Sequence, residues 1–436
     1  MLLIGSLILV SFQTRASSAK EQRINIKGTQ FVFEDGSPFL FLGGNLPNWF
    51  FLVERGEVYS KADIDEIVGN LATFTGAKMM RIVMSGNAFE PSFGDYDEKA
   101  FVQLDHVLVA AQANGIRLII ALRDYAWSPW PIDAPPDPYW LLGGGTATKP
   151  NKDAIQSDPQ AKAAYKHFIQ HVLDRVNSVN GEIYKNDTTI FAWELINEPH
   201  ITYPPDDFNS WITEIGSYVR SVDSVHFLTV GIGSTEVEDW WGPENPNWRV
   251  LANPLISFVD LHYYAAANLY DPVDPSNVAK IRERVSSSLE LNKPVVFGEF
   301  GAEGTSSIDS RIGLYKTIIE TVLGNGASGA LFFAWGPPGP NGWGGPNGFE
   351  IYVDQWKQVA DLVLQESIKW TGFERTTTTS TNANPATSTG KSTESIPLQP
   401  ISASSSNLTL TIAAVGAVTL AISFAVVLAR KRGELK

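Results

Sequence analysis

The sequence I-F-A-W-E-L-I-N-E-P-H, residues 190–200, changes from apolar to polar within one short stretch. It begins as a strand, becomes polar at Asn197 and Glu198, and is ended by Pro199, which cannot continue a central strand. Parallel barrels present their catalytic groups at the carboxyl ends of the strands. The stretch therefore predicts a barrel strand that delivers a carboxamide and a carboxyl group at its tip.

A second strand ends in the same way about a hundred residues later. Residues 294–301 read P-V-V-F-G-E-F-G and place Glu299 after an apolar run. Retaining glycoside hydrolysis needs two carboxyl groups about 5–5.5 Å apart, one as acid/base and one as nucleophile. Neighbouring residues of one strand cannot provide that arrangement, whereas Glu198 and Glu299 on separate strands can.

Strand-like and helix-like segments alternate along most of the chain. This alternation predicts a (β/α)₈ TIM barrel, because parallel strands need crossover connections that are usually helices. The rival fold is an open, doubly wound sheet, but no Gly-rich phosphate loop follows the first strand. The predicted strands are residues 38–43, 78–84, 116–122, 190–197, 226–232, 257–263, 295–299 and 330–334. An Asp35–Gly36 turn between the β-rich runs 24–33 and 38–43 also predicts a hairpin that leads into the barrel.

The two ends of the chain predict an export signal and a membrane anchor. Residues 1–19 are typical of a signal peptide, and residues 20–372 hold the barrel. Residues 373–406 are rich in Ser and Thr and predict a disordered stalk. Residues 407–429 have the length of one transmembrane helix, and the basic tail 430–436 should remain cytoplasmic. We therefore expect a type I protein at the cell surface, with its catalytic domain outside and a membrane contact through the C-terminal helix.

Charge and cysteine content exclude several classes of function. The net charge is −14 and no basic stripe is present, which argues against nucleic acid as a partner. The chain has no cysteine, so it has neither a thiolate metal site nor a cysteine nucleophile. The sequence leaves the oligomeric state open.

Residues 165–199, together with Gly298-Glu299-Phe300-Gly301, resemble the endo-β-1,4-mannanases of glycoside hydrolase family 5. The resemblance extends from the region of Phe31 through the eighth barrel strand. It implies a (β/α)₈ barrel and a retaining β-glycosidase that acts on β-1,4-linked mannan-type polysaccharide through a covalent glycosyl-enzyme. It implies neither a cofactor nor a metal ion, because carboxyl groups perform the proton transfer and the nucleophilic attack.

The same resemblance implies roles for individual residues. Glu198 matches the acid/base and Glu299 the nucleophile, with Arg81 beside the nucleophile to keep it ionised. Asn197 matches the amide that binds the 2-hydroxyl of the sugar. The remaining positions implied by the resemblance are His262 and Tyr264 near the nucleophile and Trp335 as the floor of the cleavage subsite. Trp49 and Trp127 are candidate platforms for further sugars, with core or loop packing as the alternative.

The loops of the chain depart from that family pattern and leave the substrate open. Residues 123–127 read R-D-Y-A-W where mannanases of this type usually carry Asn-Asn-Trp. The long connection 123–158 could close one end of the cleft and favour exo action. The alternatives within the class are a β-1,4-glucanase and an exo-acting β-glucosidase or β-mannosidase. An alternative from another class is a non-catalytic carbohydrate-binding surface protein.

Overall fold

The computed structural model describes residues 22–46, 59–125, 137–201, 206–233, 246–264, 275–302, 307–336, 350–352 and 356–374. The chain divides into two compact units, residues 1–376 and 377–436, and all described residues belong to the first. The predicted signal peptide, the transmembrane helix, the tail and nearly all of the stalk lie outside the described residues. Within the described ranges, no helix combines the length and the apolar character needed to cross a bilayer.

The chain begins with an antiparallel hairpin of two short strands, β1 (Ile24–Lys27) and β2 (Gln30–Phe33). Its turn contains Gly28, whose φ of 60° is readily adopted only by glycine. The sequence predicted the hairpin turn at Asp35–Gly36, and this prediction was wrong in position. A turn does form at Gly36, but it leads only to an isolated bridge between Val32 and Pro38.

Eight parallel strands then close into a barrel, which confirms the predicted architecture. The last strand pairs with the first, so the sheet has no free edge. The barrel strands are β3 (Phe41–Leu46), β4 (Met79–Val83), β5 (Arg117–Ala121), β6 (Ile190–Asn197), β7 (Phe227–Ile232), β8 (Val259–Tyr263), β9 (Val295–Phe300) and β10 (Gly329–Phe332).

Helices on the outside of the barrel connect most of the strands. They are α1 (Lys61–Thr75), α2 (Gly86–Phe89), α3 (Glu98–Ala113), α4 (Ala154–Ser157), α5 (Pro159–Leu173), α6 (Asp206–Val222), α7 (Pro275–Leu289), α8 (Ile308–Gly324) and α9 (Lys357–Thr371). Helix α1 illustrates how the sequence sets its bounds. Ser60 and Asp63 form a capping box at its start, and Gly76 ends it in the left-handed conformation.

An apolar plug fills the amino-terminal end of the barrel. Phe31 of the hairpin is buried and packs against Phe41, Phe191 and Phe258, with ring centroids 6.1, 5.0 and 5.5 Å away. These three partners lie at or just before the starts of barrel strands. The aromatic cluster closes this end to water, so the polar side chains of the lumen collect toward the carboxyl ends of the strands.

Candidate active site

Arg81 of β4 is the centre of the polar layer above the plug. Its Nε and Nη2 donate to the two oxygens of Glu194, both at 2.7 Å, and Nη2 also donates to Asn197 Oδ1 at 2.7 Å. Its Nη1 donates to Glu299 Oε1 at 2.5 Å and to Asn45 Oδ1 at 3.0 Å. All five N–H donors of the buried guanidinium are therefore used, which fixes the relative positions of four strands.

Two carboxylates keep this arginine charged. Burial alone would lower the pKa of Arg81, yet the nearby carboxylates of Glu194 and Glu299 raise that pKa well above its ordinary value. Glu194 lies inside the stretch 190–200. Its bidentate pairing with Arg81 is the strongest geometry available to a guanidinium. The sequence analysis assigned Glu194 no role, although a charged residue within an apolar strand is a signal that could have found it.

Glu299 lies at the end of β9, held from two sides. Arg81 donates to its Oε1, and the hydroxyl of Tyr264 donates to its Oε2 at 2.7 Å. Burial nevertheless raises the pKa of Glu299, and the opposing effects of His262 and Arg81 do not cancel that rise. Arg81 acts toward the ionised form of this carboxyl group, as the sequence analysis expected, while desolvation of the buried charge acts against it and is the larger effect.

Glu198 follows β6 directly and has a strained backbone. Its φ is +47°, a left-handed value that costs a residue with a side chain roughly 1–3 kcal/mol. The Glu198 N–H donates to Gly231 O at 2.9 Å, which holds this turn in place. The side chain reaches His262, where Oε1 lies 2.8 Å from Nδ1. Strain of this kind is often concentrated at functional residues.

His262 of β8 lies within reach of both Glu198 and Glu299. Its Nδ1 lies 2.8 Å from an oxygen of Glu198 and 3.7 Å from an oxygen of Glu299. Burial lowers the pKa of His262 to about 4, so the ring is neutral at neutral pH. Neutral imidazole can exchange hydrogen bonds with a carboxyl group in either protonation state.

Asn197 is the last residue of β6 and is fixed at both ends of its amide. Its Oδ1 accepts from Arg81, and its Nδ2 donates to Asp124 Oδ1 at 2.9 Å. Its backbone N–H donates to Arg123 O at 2.8 Å, and its carbonyl accepts from Tyr125 N–H at 3.1 Å. The residues after β5 therefore determine how Asn197 faces the mouth of the barrel.

Of the three tryptophans predicted to bind sugar, the structure describes Trp335. Trp335 follows β10, but its ring is fully buried and packs against Phe332 and Tyr352. Its indole N–H donates to Ile67 O of α1 at 2.9 Å. The ring therefore offers no surface to a sugar, which corrects the expectation of a subsite floor. Trp49 and Trp127 lie outside the described residues.

A third acidic group, Asp260 of β8, lies deeper in the lumen. It is buried against the backbone of Gly298, and neither carboxyl oxygen has a well-formed hydrogen bond within the described ranges. Burial, followed by the charge of Glu194, raises the pKa of Asp260 well above its ordinary value. Its Oδ1 lies 4.0 Å from His262 Nε2. The sequence analysis passed over this residue, although its two-residue spacing from His262 within the predicted strand 257–263 was a signal that could have found it.

The described residues thus bring Glu198, His262 and Glu299 together at the carboxyl ends of β6, β8 and β9. One ligand atom from each lies within 4.8 Å of the other two, a spacing that could also hold a metal ion. The arrangement offers two carboxyl groups, one hydrogen-bonded to a neutral imidazole and one to a guanidinium and a phenol. Such a pair can transfer a proton and attack an electrophilic carbon.

Comparison with known proteins decides the family. The family model described as GH family 5 beta-mannosidase-like matches residues 146–365, which is half of the chain. The chain belongs to this family. It is therefore a family 5 glycosidase, and the matched range includes Glu198, His262 and Glu299.

Named relatives agree with that assignment. The chain is 27% identical over 400 residues to a putative mannan endo-1,4-beta-mannosidase 9 of Oryza sativa subsp. japonica, covering 86% of this chain and 95% of the relative. It is 28% identical over 350 residues to mannan endo-1,4-beta-mannosidase 2 of Arabidopsis thaliana, covering 71% and 76%. The fold is similar to that of an endo-1,4-beta-mannanase from Rhizomucor miehei, with a TM-score of 0.63, 23% identity and coverage of 80% and 99%.

Proposed function

We propose that this family 5 glycosidase hydrolyses β-1,4-linked mannan outside the cell, with retention of anomeric configuration. The observation that carries the proposal is the pair Glu198 and Glu299, whose nearest oxygens lie within 4.8 Å across the barrel mouth. Retaining enzymes hold their two carboxyl groups about 5–5.5 Å apart, whereas inverting enzymes separate them by about 6.5–9.5 Å. The names of the relatives support mannan as the substrate.

The proposed reaction has two steps. In the first step, the Glu299 carboxylate attacks the anomeric carbon while the glycosidic bond breaks and Glu198 gives its proton to the leaving oxygen. In the second step, Glu198 takes a proton from water, and the hydroxide attacks the anomeric carbon and releases Glu299. Arg81 and Tyr264 contact Glu299 and stabilise the charge that returns to it.

The full-length protein should be tested on mannan, glucomannan and cellulose. We expect release of oligosaccharides from the mannan-type substrates, with β-configured products detected by NMR before mutarotation. Glu299→Gln, which keeps the shape of the side chain, should reduce the rate by several orders of magnitude. Products of α configuration, or cleavage of cellulose alone, would contradict the proposal.

Product sizes distinguish endo from exo action. The long connection 123–158 after β5 makes exo action the second candidate, and the pairing of Arg123 with Asp137 holds its first part close to the end of β5. Release of mannose alone from mannohexaose indicates an exo enzyme, whereas a mixture of shorter oligosaccharides indicates the endo enzyme that we favour. Binding without turnover across the whole panel would indicate a carbohydrate-binding surface protein.

The compartment is part of the proposal and is supported by the sequence alone. An export signal at residues 1–19, a stalk at 373–406 and an apolar helix at 407–429 would hold the barrel outside the cell, where polysaccharide is available. The basic residues 430–432 would remain on the cytoplasmic side.

A further inference from the structure

Gly233, directly after β7, lies against the side chain of Glu198. An ideal Cβ placed on Gly233 would fall 2.7 Å from Glu198 Cδ, 2.8 Å from Oε1 and 2.9 Å from Cγ. Non-bonded carbon atoms pack at about 3.5–4.0 Å, so a methyl group and the present Glu198 side chain cannot both occupy this space. The backbone of β7 comes this close to the carboxyl group only because residue 233 has no side chain.

A second group contacts the same carboxyl group. His262 Nδ1 lies 2.8 Å from Oε1, and the ring of His262 is itself buried. The backbone of Glu198 is fixed by its hydrogen bond to Gly231 O and by its left-handed φ. Because β7 lies between β6 and β8 in the barrel, the Glu198 side chain passes the bare backbone after β7 to reach the imidazole on β8.

We infer that Gly233 is a positioning residue for the proton donor, because the space left by its missing side chain is the space that the Glu198 carboxyl group occupies beside His262. The inference rests on the proposed role of Glu198 as acid/base. It goes beyond that role by assigning the placement of the carboxyl group to a position that offers no chemistry of its own.

A methyl group at residue 233 should displace Glu198 without unfolding the barrel. The atoms that it would meet belong to the outer part of one flexible side chain, not to the backbone. The carboxyl group would turn away from His262 and from the bond that is cleaved. General acid catalysis contributes about 10²–10⁴-fold, so Gly233→Ala should lower kcat/KM on mannan by about 10²-fold or more.

Leaving groups of different basicity distinguish a misplaced proton donor from a damaged site. The test compares kcat/KM of wild type, Gly233→Ala and Glu198→Ala on aryl β-manno-oligosides with poor and good leaving groups. A dinitrophenolate departs without a proton, so both variants should keep nearly the wild-type kcat/KM on that substrate. On phenyl glycosides both should lose activity steeply. Added azide, which needs no general base, should raise kcat of both variants on the dinitrophenyl substrate.

A double variant isolates the contact and remains informative if Gly233→Ala alone is unstable. Glu198→Ala removes the three atoms that would lie nearest to the new methyl group. Adding Gly233→Ala to Glu198→Ala should therefore change neither the thermal unfolding midpoint nor kcat/KM. A further loss in the double variant would show that Gly233 acts through other groups, and would overturn the inference.

Gly69 provides the matched control. It lies in α1, and a Cβ there would meet only the side chain of Asn114, at 3.8 Å and beyond. Gly69→Ala should leave kcat/KM on every substrate unchanged. If Gly233→Ala has wild-type rates, or loses activity equally on good and poor leaving groups, the inference is overturned while the proposed role of Glu198 stands. If Glu198→Ala itself shows no dependence on the leaving group, the proposed role of Glu198 fails, and the inference fails with it.

Discussion

Asp260 is an acidic side chain in a lumen that already contains more carboxyl groups than cations. Arg81 is paired with Glu194 and Glu299, and no cation contacts the Asp260 oxygens within the described ranges. Burial is the first cause of its raised pKa. We therefore expect Asp260 to be protonated at neutral pH, which removes one negative charge from beneath the catalytic pair.

Asp260→Asn should raise the unfolding free energy relative to wild type by a larger amount at pH 7 than at pH 4. The folded-state pKa of Asp260 lies above the unfolded value, so wild type loses stability as the pH rises above about 4. An amide cannot ionise and avoids this loss. We expect the effect of the substitution on the unfolding free energy to become more favourable between pH 4 and pH 7.

Asp105 provides a control of opposite sign, which urea unfolding shows at a lower pH. It is also buried, but its hydrogen bonds from Arg175, Tyr184 and Ser178 outweigh burial and lower its pKa. A lowered pKa contributes stability above the unfolded pKa that is lost as the pH falls. Asp105→Asn should therefore be more destabilising at pH 7 than at about pH 2.5, below the unfolded pKa of about 3.9. If Asp260→Asn changes the unfolding free energy equally at pH 4 and pH 7, Asp260 is not protonated in the folded protein at neutral pH.

Tyr264 should set the acid side of the pH–activity profile. Its own pKa is raised well above the ordinary value, chiefly by burial, so the hydroxyl remains a donor to Glu299. That donation lowers the pKa of Glu299 against the rise caused by burial. In the proposed mechanism the activity needs ionised Glu299, so it should fall as the pH drops through the pKa of Glu299.

Tyr264→Phe should shift this acid limb of kcat/KM to higher pH by about one unit, because a hydrogen bond to a charged group contributes about 1.5–3 kcal/mol. The shift is measured on an aryl glycoside from pH 3 to 8. An unchanged limb with a uniformly lower rate would show that Tyr264 binds substrate without tuning Glu299.

Two arginine networks on different elements have nearly the same chemistry. Arg123, after β5, donates to Asp137 through two nitrogens and to Glu90 at 2.9 Å, while Tyr139 donates to the same Glu90 oxygen. The second network joins Arg175 to Asp105 and Glu98, and Tyr184 to Asp105. The first network adjoins Asn197 through backbone hydrogen bonds, whereas the second network has no contact with the catalytic residues among its described hydrogen bonds.

Substitution of Arg123 and of Arg175 separates an effect on stability from an effect on the position of Asn197. Lysine keeps the charge but loses the bidentate geometry, so Arg123→Lys and Arg175→Lys should each lower the unfolding free energy by about 1–3 kcal/mol. We expect only Arg123→Lys to lower kcat, because residues 123–125 hold Asn197. Steady-state kinetics and urea unfolding of both variants check this, and equal kcat values for the two variants would contradict it.

Strand order and the ends of β6 and β9 were predictable because their residues obey local rules. Apolar runs followed by Asn197-Glu198 or Glu299 mark where strands end, and closure of the barrel brings those ends together. The hairpin turn was misplaced because both Gly28 and Gly36 can adopt positive φ. The direction of the Glu299 pKa and the orientation of Trp335 depend on burial by residues distant in sequence, which no local pattern encodes.

The membrane anchor predicted at residues 407–429 concerns the whole molecule and rests on sequence composition alone. Residues 408–428 have the length of a bilayer-spanning helix. The full-length chain should therefore remain in the membrane fraction after an alkaline carbonate wash, and deletion of residues 407–436 should release active protein into the medium. Full-length protein that is extracted by carbonate would contradict a spanning anchor.

The central claim is that Glu299 forms a covalent bond to the sugar. An activated 2-deoxy-2-fluoro-β-manno-oligosaccharide should form this bond quickly and release it slowly, because fluorine slows both steps and the activated leaving group restores the first. Mass spectrometry of the intact protein should show one added fluoroglycosyl group, and fragmentation should place it on Glu299. Glu299→Gln should take up none. A label on Glu198 or on any other residue, or turnover without a trapped intermediate, would contradict the account.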